Sequence, residues 1–259
     1  MQMFKLFTFF ICFVFHMDLN AQTVMQTPDY IKLSQQLLYA VKTGEDSATR
    51  WMQQLEKAEA GTLEQQLHND DVKTAFWLNI YNTWVQWLLQ QHPERYKNRS
   101  SFFTDKQIRL AGKSLSLDDI EHGILRRSRT KWSFGYIGKL FPGAFEKQFR
   151  VARVDKRIHF ALNCGAKSCP PIAYYAPEKI HTQLDLATKN YLRGEVEYNA
   201  EKNVAYLPAI MSWFRADFDG KKGMRELLHQ YAIIPKEKQP KIRFKPYNWD
   251  LFLNNYTTD

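Results

Sequence analysis

The segment Arg157-Ile-His-Phe-Ala-Leu-Asn-Cys-Gly-Ala-Lys-Ser-Cys-Pro-Pro171 concentrates the reactive residue types of this chain. His159, Asn163, Cys164 and Cys169 admit three chemistries. In the first, one thiol is a nucleophile: a thiolate attacks acyl carbon when a histidine lowers its pKa and a third polar group orients that histidine. Cys164 is the first choice of nucleophile and Cys169 the second. His159 or His122 would be the base, and Asn163, Asn79 or Glu121 the orienter. In the second, Cys164 and Cys169 close a disulfide, whose short loop adds little through chain entropy. In the third, His159, Cys164, Cys169 and His122 hold a metal such as zinc. Structural zinc sites usually bring two-residue cysteine spacings, and four residues separate these two, so no metal and no other cofactor is assigned. No family-typical nucleophile sequence surrounds either cysteine, and a structural role for all of these residues stands beside the three chemistries.

These residues need elements to hold them. Lys156 to Asn163 reads as a buried strand. Alternation would place Ile158, Phe160 and Leu162 on one face and His159, Ala161 and Asn163 on the other. A direct His159–Cys164 dyad then requires the strand to break near Asn163, and Gly165 makes that break plausible. Asp71 to Gln90 reads as a helix with Asp71 as N-cap. Phe76, Trp77, Leu78, Ile80, Tyr81, Trp84, Val85, Trp87, Leu88 and Leu89 cover most of its circumference, as in a buried helix. Asn79, Asn82 and Gln86 share one narrow arc. That amide stripe either bonds neighbouring backbone or points into a cleft, which would make Asn79 and Asn82 substrate-binding residues together with Arg157.

Ile108, Leu110 and Leu115, Leu117 read as two arms of a β-hairpin around Ala111-Gly112. Ser116 and Asp119 then form a capping box that opens a helix. On it Glu121 falls inside the apolar face, with His122 at the edge. A carboxylate facing the core needs a cation or hydrogen-bond donors, or its pKa rises. Elsewhere, helices are expected over Tyr30 to Lys42, Ser47 to Glu59, Pro177 to Leu192, Met211 to Phe218 and Lys222 to Tyr231. A second hairpin spans Glu195 to Tyr198 and Asn203 to Leu207, and a late strand Ile242 to Phe244 precedes the aromatic tail Tyr247, Trp249, Phe252. Helices interleaved with hairpins give an α+β fold, with a buried central helix, β-hairpins and a small sheet in one globular domain over residues 22–259.

The N-terminus reads as a leader. Lys5 is a short positive region, Leu6 to Phe15 an apolar run of signal-peptide length, and Ala21 a cleavage point, giving a signal peptide over residues 1–21 and a periplasmic or secreted protein. Cys12 leaves with the leader, so Cys164 and Cys169 remain to meet an oxidising compartment. Removing Lys5 and Asp18 leaves the net charge of +9 unchanged. No other stretch is apolar enough to cross a membrane, so no transmembrane segment is expected after cleavage. Arg126, Arg127, Arg129 and Lys131 form the densest basic patch and read as a solvated face. Nucleic acid is excluded as a partner for an exported chain without a recognition motif; an acidic envelope component or a peptide is expected instead.

Three blocks carry a family resemblance. Ala75-Phe-Trp-Leu-Asn-Ile-Tyr-Asn82, Leu115-Ser-Leu-Asp-Asp-Ile-Glu-His-Gly-Ile-Leu125 and the Arg157–Pro171 segment, in this order, resemble the signature of the DUF547 family. The similarity runs over about residues 65–190. The tail, Tyr247-Asn-Trp-Asp-Leu-Phe252, departs from the family's Tyr-Asp-Trp-Ser-Leu-Asn ending. The resemblance implies positions and no activity: Asn79, Asn82, Glu121, His122, Arg157, His159, Asn163, Cys164 and Cys169 fall on its motif blocks. Family members include exported bacterial proteins, plant proteins joined to coiled coils and animal proteins joined to glutaredoxin-like domains, arrangements that fit thiol chemistry and an interaction module alike. The leading expectation is a thiol-dependent hydrolase or acyl transferase on peptide or amide substrates, whose polar clusters converge around sulfur. The alternative is a non-catalytic binding or scaffold domain of the envelope.

Overall fold

A computed structural model describes residues 27–258; the expected leader and its Cys12 lie outside them. Helix α1 (Tyr30–Thr43) starts where the Asp29 carboxylate accepts from the Ile31 and Lys32 amides, and stops at Gly44 in the left-handed conformation. Helix α2 is Ser47–Glu56. It is shorter than the Ser47–Glu59 reading because the Glu59 side chain accepts from Gly61 and Thr62 and opens a separate helix α3 (Ala60–Gln66).

Helix α4 (Asp70–Gln91) is the buried axis of the molecule. Its N-cap is Asn69, which accepts from the Val72 amide, and not Asp71 as expected. Asp70 and Asp71 sit in the first turn, where negative charge suits the helix dipole. Phe76, Trp77, Leu78, Ile80 and Val85 are fully buried along it. α1 packs against α4, and helix α5 (Arg99–Thr104) and the hairpin of strands β1 (Ile108–Leu110) and β2 (Lys113–Leu115), paired Ile108 with Leu115 and set against α2, add side chains to the same core.

The capping box forms as read. Asp119 accepts from the Ser116 amide at 2.7 Å and donates its own amide to Ser116 Oγ at 3.0 Å. The helix it opens, Asp119–Leu125, has π geometry, with Arg126 N donating to Glu121 O and Ser128 N to Gly123 O. Such widened turns recur at functional sites. Helix α6 (Ala144–Phe149) follows.

The expected strand over Lys156 to Asn163 is not a strand. Lys156–Phe160 is a 3-10 turn capped by Asp155, which accepts from the Arg157 amide. The apolar alternation there serves two cores instead of one sheet face: Ile158 packs with the α4 core, Phe160 with a second. That second core lies among helix α7 (Ile180–Glu195), strands β3 (Glu197–Asn199) and β4 (Val204–Leu207), helices α8 (Ala209–Trp213) and α9 (Gly220–Gln230), and strand β5 (Lys241–Phe244). β3 and β4 form the expected second hairpin, and β5 adds parallel to β4. The fold is α+β, as read. No helix among the described residues is long and apolar enough to cross a membrane.

Candidate functional site

The amide stripe of α4 decides where the cysteine loop sits. Asn82 donates to the Ala161 carbonyl at 3.0 Å and accepts from the Asn163 amide at 2.9 Å. Asn163 in turn donates to the Pro170 carbonyl and accepts from the Gly165 amide, folding residues 163–170 into a closed loop. Gly165 has φ +86°, and a Cβ there would stand 2.8 Å from Leu89 Cδ1, so only glycine seats the loop this close to α4. The tail runs along the other side: Lys167 N donates to Asp250 O, and Phe252 N to Gly165 O. This pairing delivers Tyr247 to the sulfurs.

The two cysteines are free, and their sulfurs lie 2.6 Å apart, outside the disulfide bond length of about 2.05 Å. Tyr247 Oη is 3.3 Å from Cys164 Sγ and 3.1 Å from Cys169 Sγ. The hydrogen bond from Cys169 holds the Cys164 thiol below its ordinary value, Tyr247 reinforces it, and burial opposes both. Burial and the neighbouring sulfur push Cys169 far up. Of the two thiols, Cys164 is therefore the one that ionises first, with Cys169 as the donor to it.

Cys164 and Cys169 line a cavity of about 390 Å³ together with Glu121, His122 and His159, and the first block contributes Tyr81 to it in place of its amides. Phe103, Trp132, Phe134, Trp213, Phe214 and Trp249 make the wall rich in aromatic rings. The π-helix supplies the polar floor. Burial, then the charge of Asp118, lifts Glu121 to about 7, and its Oε2 accepts from the Tyr81 hydroxyl at 3.1 Å. His122 Nδ1 lies 2.8 Å from Arg126 Nη1; a guanidinium only donates, so Nδ1 accepts and the ring proton sits on Nε2, 3.6 Å from Asp118 Oδ1. Burial, with Arg126 next, keeps His122 neutral.

His159 is held from behind. Its Nε2 donates to Asp217 Oδ2 at 2.9 Å, Phe214 stacks on the ring at 4.1 Å, and Nδ1 has no protein partner. Arg126 Nε donates to the same Asp217 oxygen at 2.6 Å. Burial raises Asp217, but the bonds from His159 and Arg126 outweigh it and hold the carboxyl near 2. Burial depresses His159 against the pull of Asp217, so the ring is neutral. Gly135, at φ +86°, leaves room for this pair, since a Cβ there would lie 2.6 Å from Arg126 Nη2.

Several expectations change. The hydrogen-bond partners found for the sulfurs are each other, Tyr247 and backbone amides, with neither imidazole among them. The direct His159–Cys164 dyad is absent because His159 Nε2 is turned to Asp217. Asn79, Asn82, Asn163 and Arg157 do not line the cavity. Asn79 exchanges both of its polar ends with Tyr175 backbone, and Arg157 is bound to Asp155 and Asp185. Arg126, read as part of a solvated face, is fully buried. Among the described residues no group of three or more His, Cys, Asp or Glu is placed to hold a metal ion.

Asp217, Arg126, Asp118, Tyr81 and Tyr247 are the site residues that sequence reasoning missed. Arg126 carried a signal, four residues after His122 on one helix. Tyr247 stood at the aromatic tail. Asp217 carried none. A family model described as protein of unknown function, DUF547, matches residues 65–192. No curated protein and no solved structure matches the chain.

Proposed function

We propose, for a chain whose residues 65–192 belong to the DUF547 family, that the cavity is the active site of a thiol-dependent hydrolase or acyl transferase on peptide or amide substrates, with Cys164 as nucleophile. The observation that carries this reading is a Cys164 thiol, held below its ordinary value by Cys169 and Tyr247, sharing one aromatic-rich cavity with a carboxyl lifted to about 7. A group with that pKa both gives and takes protons at neutral pH. The Cys164 thiolate attacks the acyl carbon, the carbon–sulfur bond forms, and the amide carbon–nitrogen bond breaks. The leaving amine takes its proton from Glu121. Water, or an acceptor amine, then attacks the thioester, gives its proton back to Glu121, and Cys164 leaves as the thiolate. Cys169 and Tyr247 stabilise that thiolate at both ends of the cycle. Asp217 positions His159, whose Nδ1 is an acceptor for a bound substrate N–H. The exported location belongs to the same proposal, with a peptide or an acidic envelope component as the partner.

The test is intact-mass analysis of reduced protein exposed to p-nitrophenyl acetate. The expected result is one acetyl adduct on Cys164, lost in Cys164→Ser, with slower release in Glu121→Gln. No adduct, or an adduct that survives Cys164→Ser, overturns the reading. The 2.6 Å separation of the sulfurs favours a second reading, in which the pair closes as a disulfide and the protein is a binding or scaffold module. Two free thiols in protein purified without reductant speak for the enzyme; no free thiol, and no acylation after reduction, speaks for the scaffold.

A further inference from the structure

Between the π-helix and α6 the chain makes a short ribbon. Arg129 bridges Gly138, Thr130 N donates to Ile137 O, and Lys139 N to Ser128 O. Its polar interior is self-contained: Thr130 Oγ1 donates to Ser133 Oγ, which accepts from the Ile137 amide. The tip is pinned to the body where Ala216 N donates to Phe134 O. What the segment offers outward is apolar. Nine large hydrophobic side chains are exposed among the described residues, and six of them fall within positions 132–141. Trp132 is 73% exposed, Leu140 86% and Phe141 92%. A concentration of this kind marks an interaction surface, whereas scattered single residues do not.

The flanking charge selects the partner. Residues 127–147 hold Arg127, Arg129, Lys131, Lys139 and Lys147 against one acid, Glu146. Lys131 and Lys139 are paired with Asp118 and Glu146, but Arg127, Arg129 and Lys147 take part in none of the ion pairs among the described residues. We infer that this ribbon and its Leu140-Phe141 extension dock onto the surface of a bilayer that contains anionic lipid. Protruding aliphatic and aromatic tips enter the interface, Trp and Tyr settle at headgroup depth, and neighbouring cations meet anionic headgroups. Lys131, Trp132 and Phe134 also line the cavity, so docking brings its wall against the lipid. This inference stands without the thiol chemistry.

The test is co-sedimentation of the full chain with phosphatidylcholine vesicles and with equal mixtures of phosphatidylcholine and phosphatidylglycerol. Binding to the anionic vesicles alone is expected, weakened by salt and accompanied by a blue shift of tryptophan emission. Leu140→Glu with Phe141→Glu should lower the partition coefficient about tenfold or more, and Arg127→Ala with Lys147→Ala should lower it severalfold. An unchanged urea midpoint shows that the variants are folded, and unchanged alkylation of Cys164 shows that the cavity is intact. The inference is overturned by no binding to either vesicle, or by binding that the glutamate pair leaves intact. It is also overturned by a soluble dimer that the glutamate pair dissociates, which would assign the ribbon to a second copy of this chain.

Discussion

Two buried polar clusters flank the same helix, and they differ in what they leave over. The amide stripe of α4 is taken up mainly by backbone: Asn79 holds Tyr175, Asn82 holds Ala161 and Asn163, and Gln86 Oε1 accepts from the Asn254 amide, leaving Gln86 Nε2 as its one unpartnered end. The stripe is neutral and serves three chain segments. The cavity cluster is ionic and unfinished. Asp217 Oδ2 accepts from both His159 and Arg126, yet His159 Nδ1 and Arg126 Nη2 are unpartnered, Glu121 is held near 7, and two thiols share one phenol. A buried polar group normally finds its partners within the chain. Charge and hydrogen-bonding capacity left over at a cavity mark a candidate functional site. Asn79 and Asn82 of the stripe and Glu121, His159 and the two cysteines of the cavity all stand on the motif blocks, so residue type alone does not separate the two clusters.

The contrast can be broken experimentally. The largest effect is expected for Asp217→Ala, which strands buried Arg126 without its counter-charge: a loss of about 3–5 kcal/mol in urea unfolding. A smaller loss would mean that water or another acid replaces Asp217 and that the cluster is less closed than described. Next comes Asn82→Ala, which leaves the Ala161 carbonyl and the Asn163 amide unsatisfied; about 3 kcal/mol is expected from two such groups, together with altered Cys164 alkylation because the loop loses its seat. If stability fell without any change at Cys164, the stripe would not be what positions the sulfurs.

Glu121→Gln sharpens the comparison through pH. Glu121 is lifted from the ordinary 4.5 to about 7, so between these values the folded state binds more protons than the unfolded state. The contribution of Glu121 is therefore fully present below 4.5 and is lost as pH rises through 7. Glutamine keeps an acceptor for Tyr81 and removes this dependence. The variant should be more stable than the parent at pH 8 by on the order of 2 kcal/mol, with no such gain at pH 4.5. Denaturant midpoints at the two pH values measure it, and equal differences at both would show that Glu121 is already ionised in the folded protein.

Local chemistry made some of this legible in advance. The periodicity of residues 71–90 announced a buried helix because apolar residues nearly encircle it. Ser116 and Asp119 announced a cap because each side chain reaches the other's amide within one turn. Glu121 was legible as a carboxylate facing the core, since three residues of helix fix which way it points. The strand over Lys156 to Asn163 misled because a 3-10 turn between two cores shows the same alternation as a strand between core and solvent.

The sequence by itself determined the inventory: a buried helix with an amide stripe, a capped carboxylate and histidine, and two thiols in a glycine- and proline-bounded loop. Each depends on neighbours within a turn or two. Only the tertiary structure decided the pairings, because they join residues 58 to 91 positions apart: His159 with Asp217, Arg126 with Asp217, Cys169 with Tyr247. A side chain's local pattern says that it needs a partner and of what charge. Which residue answers is settled by chain closure and packing, and these turned one histidine away from sulfur and towards an aspartate.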